Sequence, residues 1–116
     1  MTITYRKIFE PVQLGTALAT IFTVDIALPA GSFLRGGRVR LVNTSGTAVA
    51  VELDAVPSGG SAGVSNMLFP TSKTVPASDY VDVDLPTMKP GDFLQGKAGT
   101  ASVITVHFMA GGYFSS

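Results

Sequence analysis

The chain has 116 residues, the length of one ordinary domain with its own core. It contains no cysteine, which excludes disulfides and thiolate chemistry, and its eight basic and eight acidic residues cancel, which argues against a nucleic-acid binder that must neutralise phosphates. Only 14% of residues are charged while 46% are hydrophobic, so excess apolar surface is expected to be buried against other subunits.

The N-terminal run MTITYRKIFEP has two basic residues but no apolar stretch after them, so it does not read as a signal peptide. No run approaches the roughly 18 apolar residues that span a bilayer, and no membrane partner is expected. Residues 3–9 are a weak strand candidate. Tyr5 and Lys7 share one face and Arg6 and Ile8 the other, which is not the clean alternation of a strand buried on one side.

Period-two alternation then recurs. TVDIAL sets Val24, Ile26 and Leu28 against Thr23 and Asp25; RVRLV sets Val39 and Leu41 against Arg38 and Arg40. AVAVELDA places Val49, Val51, Leu53 and Ala55 opposite Ala50, Glu52 and Asp54. Further on, YVDVDL sets Val81, Val83 and Leu85 against Tyr80, Asp82 and Asp84. SVITVHF sets Ile104, Val106 and Phe108 against Val103, Thr105 and His107. Residues 93–97 are a weaker strand candidate. Turn clusters separate these segments: Pro29-Ala30-Gly31-Ser32, Asn43-Thr44-Ser45-Gly46-Thr47, Pro76-Ala77-Ser78-Asp79 and Lys89-Pro90-Gly91-Asp92. Residues 38–56 read as a hairpin around 43–47, with Arg38 and Arg40 facing Glu52 and Asp54 in a cross-strand charge ladder. No window shows a helical stripe, and one short helical turn fits in 65–69. Seven or eight short strands with such turns predict an all-β fold: an antiparallel β-sandwich, jelly-roll-like, filling residues 1–116 as one domain.

Site chemistry is sparse. His107 is the single histidine, on the outward face of a late strand, with no local nucleophile or carboxylate orienter. One histidine and no cysteine do not make a zinc site. Asp79, Asp82 and Asp84 lack the wrapping loop that calcium requires, and read as a solvated strand face. Arg35, Arg38 and Arg40 cluster without interleaved aromatics, so a charge ladder or a protein contact fits them better than nucleic acid. SGGSAG at 58–63 is glycine-rich, but it lacks the Gly-Lys-Ser/Thr end of a phosphate loop. It leads instead to Met67, Leu68 and Phe69, three consecutive large apolar residues that must tuck under the sandwich or dock on a neighbour. Catalytic, cofactor-binding and metal residues are therefore assigned as none, and no enzyme activity is expected.

The run RVRLVNTSGTAVAVELDAVPSGGSAGVSN, followed later by MKPGDFLQGKAGTASVITVHF, is more distinctive. It resembles small structural proteins of tailed phages, in which a strand ending in Leu-Val-Asn leads through a Thr/Ser/Gly turn to a Val-alternating strand, VPSGGSAG and an Asn, with a later Pro-Gly-Asp turn. The matching positions are Leu41-Val42-Asn43, residues 56–63, Asn66 and Pro90-Gly91-Asp92, and the likeness covers residues 10–108. The resemblance implies a virion structural protein assembled in the host cytoplasm, a β-sandwich in an oligomer, most often a capsid decoration (cement) protein, head fibre or tail-associated part. MAGGYFSS departs from the pattern with two glycines and an aromatic pair.

The expectation is a decoration protein that binds the assembled head, with the major capsid protein or another virion protein as partner. A homo-oligomer is expected, a trimer ahead of a dimer. A tail or neck fibre or adaptor is the alternative, and a carbohydrate-binding module using Tyr5, Tyr80 or Tyr113 a second one. The expected contact elements are the N-terminal segment 1–10, the loop arm 57–70 and the C-terminal extension 109–116. Their candidate interface residues, with the Arg cluster, are Tyr5, Arg6, Phe9, Arg35, Arg38, Met67, Leu68, Phe69, Tyr113 and Phe114, because aromatics and arginine most often anchor interfaces.

Overall fold

The computed structural model describes residues 2–5, 8–28, 31–70 and 73–115; of residues 2–5 and 115 it describes the backbone. The described residues form nine strands: β1 (Thr2–Tyr5), β2 (Val12–Gln13), β3 (Ala19–Thr23), β4 (Phe33–Asn43), β5 (Val49–Val56), β6 (Thr74–Val75), β7 (Tyr80–Asp84), β8 (Phe93–Ala98) and β9 (Ile104–Ser115). Among the described residues a single 3-10 turn covers Val64–Asn66, overlapping the start of the 65–69 window where the sequence allows a helical turn.

Pairing is antiparallel throughout and nested. β2 pairs β9, β3 pairs β8, β4 pairs β7 and β5 pairs β6, as in one long hairpin. That hairpin is rolled up, because β4 also pairs β9 and β5 also pairs β8. Two sheets result, in the orders β1-β9-β4-β7 (with β2 also on β9) and β3-β8-β5-β6. This is a jelly roll, an antiparallel sandwich, as the alternation predicts.

The core lies between the inner faces. Val39, Leu41, Val83, Ile104 and Val106 come from the first sheet, and Phe22, Val49, Val51, Leu53 and Leu94 from the second. These are the inward positions read from the sequence, apart from Phe22 and Leu94 on the less regular strands. Each such side chain contributes about 1.5–3 kcal/mol on burial.

Two readings change. The segment 38–56 is not a hairpin: β4 and β5 lie in different sheets, and the 44–48 link crosses between them. Asn43, 1% exposed, holds that corner. Its Nδ2 donates to the carbonyls of Thr47, Val75 and Pro76 at 2.8, 3.0 and 3.2 Å, while its Oδ1 accepts from the Ser45 amide and hydroxyl. A turn that bonds to the β6–β7 link is drawn across the sandwich rather than back along β4. The second change is Ile26, which stands 78% exposed. β3 ends at Thr23, and the Asp25 carboxylate accepts the Ala27 amide at 2.9 Å, turning the chain before the alternation can continue.

Strands β4 and β9 are long, with 11 and 12 residues, because each is two segments joined at a glycine pair. Their register shifts beside Gly36-Gly37 and Gly111-Gly112. Gly111 has φ 137°, and a Cβ there would sit 3.0 Å from the Gly37 Cα. The bulge changes which parity faces inward. Even-numbered Leu34 is buried on β4 although odd-numbered Val39 and Leu41 are buried beyond the bulge. Likewise Tyr113 is buried on β9 although Ile104 and Val106 set the even positions inward.

Asn43→Ala should destabilise the chain by about 1–3 kcal/mol in urea unfolding, since it leaves the buried Val75 carbonyl without this donor and removes the part-buried bonds to Thr47 and Pro76. Asn43→Asp, which keeps the size but loses the donor, should cost a similar amount. A change below about 0.5 kcal/mol in both would show that the corner does not depend on Asn43.

Candidate functional site

Three connections meet at one end of the roll: 24–32 between β3 and β4, 57–73 between β5 and β6, and 85–92 between β7 and β8. Asp92 ties them. Its carbonyl accepts the Val24 amide at 2.8 Å, its Oδ1 the Ser58 amide at 2.9 Å and its Oδ2 the Lys89 amide at 2.9 Å. The Pro90-Gly91-Asp92 turn is what aims that carboxylate. Gly91 has φ 91°, and a Cβ on it would lie 2.8 Å from the Ser58 hydroxyl, so glycine is required on both counts.

Ile26 and Val64 stand in solvent on two of these connections, 78% and 86% exposed. On the Pro90-Gly91 side, where Ile26 also lies, a groove of about 310 Å³ is lined by Gly31, Ser32, Phe33, Thr87, Lys89 and Pro90. Ser32 is buried, and its hydroxyl has no hydrogen-bond partner among the described residues. This end combines exposed apolar side chains with a concave wall.

The interface candidates spread over the molecule. Arg35 is exposed on β4 opposite Gly112. Phe9 is half-buried, stacked on Phe22 at 5.1 Å between centroids and edge-on to Phe108 at 5.7 Å. Tyr113 is a core residue, 6% exposed, and Phe114 stacks on Phe33 at 5.7 Å. Residues 109–115 therefore belong to β9 and are no free extension. The backbone of Tyr5 pairs with Gly112; Arg6 lies outside the described residues. The signal for Tyr113 was in the sequence: paired glycines in RGGR and AGGY mark the bulge that turns it inward.

The arm folds back on its own sheet. Met67 bridges Asp54, the Leu68 amide donates to the Leu53 carbonyl at 2.8 Å, and Leu68 and Phe69 pack half-buried against the core. Asp54, which alternation places outward, is 0% exposed beneath the arm. Burial, with the Glu52 carboxyl beside it, pushes its pKa up to about 6. Nothing in the sequence marked this aspartate as buried, because its cover comes from a loop.

The charge ladder exists with other partners. Arg38 bonds Asp84 at 2.9 Å and Arg40 bonds Asp82 at 2.7 and 3.1 Å, across β4 and β7. Glu52 reaches Lys97 instead, at 3.8 Å. Arg40 also lies 4.1 Å over the Tyr80 ring, occupying a face that a sugar would need. His107 is half-buried opposite Arg40. Among the described residues, no three acidic or histidine side chains gather as a metal site.

No family model, curated protein or solved structure matches this chain.

The Arg40 hydrogen bond holds the Asp82 carboxyl below the usual aspartate range. A depressed folded-state pKa gives stability above the unfolded value that is lost as pH falls through the folded one. Asp82→Asn should therefore lower the melting temperature at neutral pH. The gap to the parent should narrow in acid and in high salt; a gap independent of both would show that the ion pair is not its source.

Proposed function

We propose that this chain is a virion structural protein of a tailed phage, a decoration subunit that binds the assembled head. The observation that carries a docking role is the pair of apolar side chains left in solvent on connections tied at their bases by Asp92, Ile26 and Val64. Ile26 stands two residues from the Val24 amide that Asp92 holds, and an apolar side chain on backbone so fixed loses little entropy when a partner covers it. The phage assignment rests on the sequence resemblance, whose Leu-Val-Asn and Pro-Gly-Asp elements are the residues that form the Asn43 corner and the Asp92 tie.

The mechanism is binding alone. A subunit that binds the expanded lattice and not its dissociated capsomers stabilises the shell by mass action. Its partner is the major capsid protein or another virion protein. The low charge favours self-association, and a closed trimer is the assembly we put first. Multi-angle light scattering should then give a constant mass of three chains across a wide dilution range; a monomer at every concentration would remove the trimer from this reading.

Location and copy number in purified particles test the assignment. Hundreds of copies on the head are expected, whereas about six or twelve at one vertex would make the chain a neck or tail part. Ile26→Ser combined with Val64→Ser should cut particle occupancy at least tenfold with little change in the melting temperature of the free chain. Full occupancy by the double variant would overturn the docking role of this end.

A further inference from the structure

Asp54 is a buried carboxylate that the fold does not satisfy. Both of its oxygens are inaccessible, and neither has a hydrogen-bond partner among the described residues. It lies on the outer face of β5, with Ala50 and Glu52, where the sandwich alone would leave it in water. What covers it is the arm: Met67 pairs beside it, Leu68 bonds to the next carbonyl along, and the Gly63 amide turns toward it without completing a hydrogen bond.

The surroundings favour the neutral acid. Residues 57–70 contain no charged side chain, so the arm brings no cation to an ionised Asp54. On β5 the neighbouring charge is Glu52, of the same sign. Strand β8 offers Lys97, already engaged with Glu52 at 3.8 Å, and directly across from Asp54 the uncharged Gln95. A carboxylate sealed under such a cover must lose its hydration without receiving a hydrogen bond in return, which is far more costly for the anion than for the acid.

The arm can also move as a unit. Its stem is fixed where the Ser58 amide meets Asp92, and its far end where β6 pairs with β5. Between them lie Gly59 at φ 79°, Gly60 and Gly63; the Val64–Asn66 turn and Met67–Phe69 rest on β5, but the Leu68 amide makes the arm's backbone hydrogen bond to that strand among the described residues. A segment with so little backbone pairing opens more readily than the paired strands of the sheet.

We propose that the 57–70 arm is a proton-controlled latch: it closes over the second sheet while Asp54 is protonated and is released when that carboxyl ionises. The raised folded-state value sets the sign. A group whose pKa is higher in the closed state stabilises that state fully below its open-state value, near the ordinary aspartate value of about 4, and loses the advantage as pH rises through about 6. The open arm presents Met67, Leu68 and Phe69, so the latch can gate the docking proposed above, although it stands on the free chain whatever that docking partner is.

Hydrogen exchange on the full chain from pH 3.5 to 7.5, corrected for intrinsic rates, tests it. Protection of the Leu68 amide should fall by up to about tenfold per pH unit between about 4 and 6, about a hundredfold in all, and then level off. The β4 amides should keep theirs. In Asp54→Asn the Leu68 protection should not change with pH, and in Glu52→Gln the fall should move to lower pH. Carbon-13 titration of the Asp54 carboxyl in the parent chain, which needs no variant, should give a midpoint near 6. Flat Leu68 protection in the parent, a parallel loss across β4, an unchanged profile in Asp54→Asn or an ordinary aspartate midpoint would each overturn the latch. Exchange reads the free chain and particle occupancy reads docking, so failure of one is distinguishable from failure of the other.

Discussion

The hydrogen bonds between β4 and β9 align the whole first sheet. Their register runs from Phe33 opposite Phe114 to Asn43 opposite Ile104. β1 and β2 attach to the free side of β9, and β7 to the free side of β4. The pair is non-local: residues about sixty to eighty positions apart must meet before either outer strand has an edge to join. A chain built on such contacts pays loop-closure entropy before hydrophobic burial repays it. Once the pair is made, Leu41 lies beside Val106 and Val39 beside Phe108, and the inner face forms as one surface.

The glycine bulge in this pair decides what the sequence could reveal. Simple alternation locates Val39, Leu41, Val49, Val51, Leu53, Ile104 and Val106 correctly, because each lies on an unbroken stretch with one face against the core. It loses the thread where a backbone irregularity changes parity. Tyr113 looks like surface if alternation is carried through Gly111 and Gly112, yet the bulge turns it inward and sends Phe114 to stack on Phe33. The two strands change parity together, since a bulge confined to one would have set Leu34 and Tyr113 on opposite faces.

Partner choice between strands was legible in chemistry but not in connectivity. The sequence shows two arginines and two acidic pairs at period two, and a ladder between them is sound physics. Which acids meet Arg38 and Arg40 depends on whether the chain turns back at Asn43 or crosses to the other sheet. Asn43 settles that through the carbonyls of Val75 and Pro76, more than thirty residues downstream. No local pattern could announce those acceptors. Once the crossing is made, Asp82 and Asp84 become the neighbours of the arginines, and Glu52 is left to Lys97.

Two aspartates show how one loop acquires a fixed stem and a conditional tip. Asp92 spends both carboxylate oxygens on backbone amides, one of them at Ser58 where the arm begins. The bond to Ser58 fixes the stem of the arm to the β7–β8 connection. Asp54, under the far part of the same arm, accepts no hydrogen bond and has a like charge beside it. Its anion gains only by regaining water, and the arm is what stands between it and water. The same chemical group therefore stabilises closure at one end of the arm and opposes it at the other. A segment so mounted does not drift free when its tip lifts: Ser58 and the β6 pairing keep their positions, and Met67, Leu68 and Phe69 move only between those two anchors.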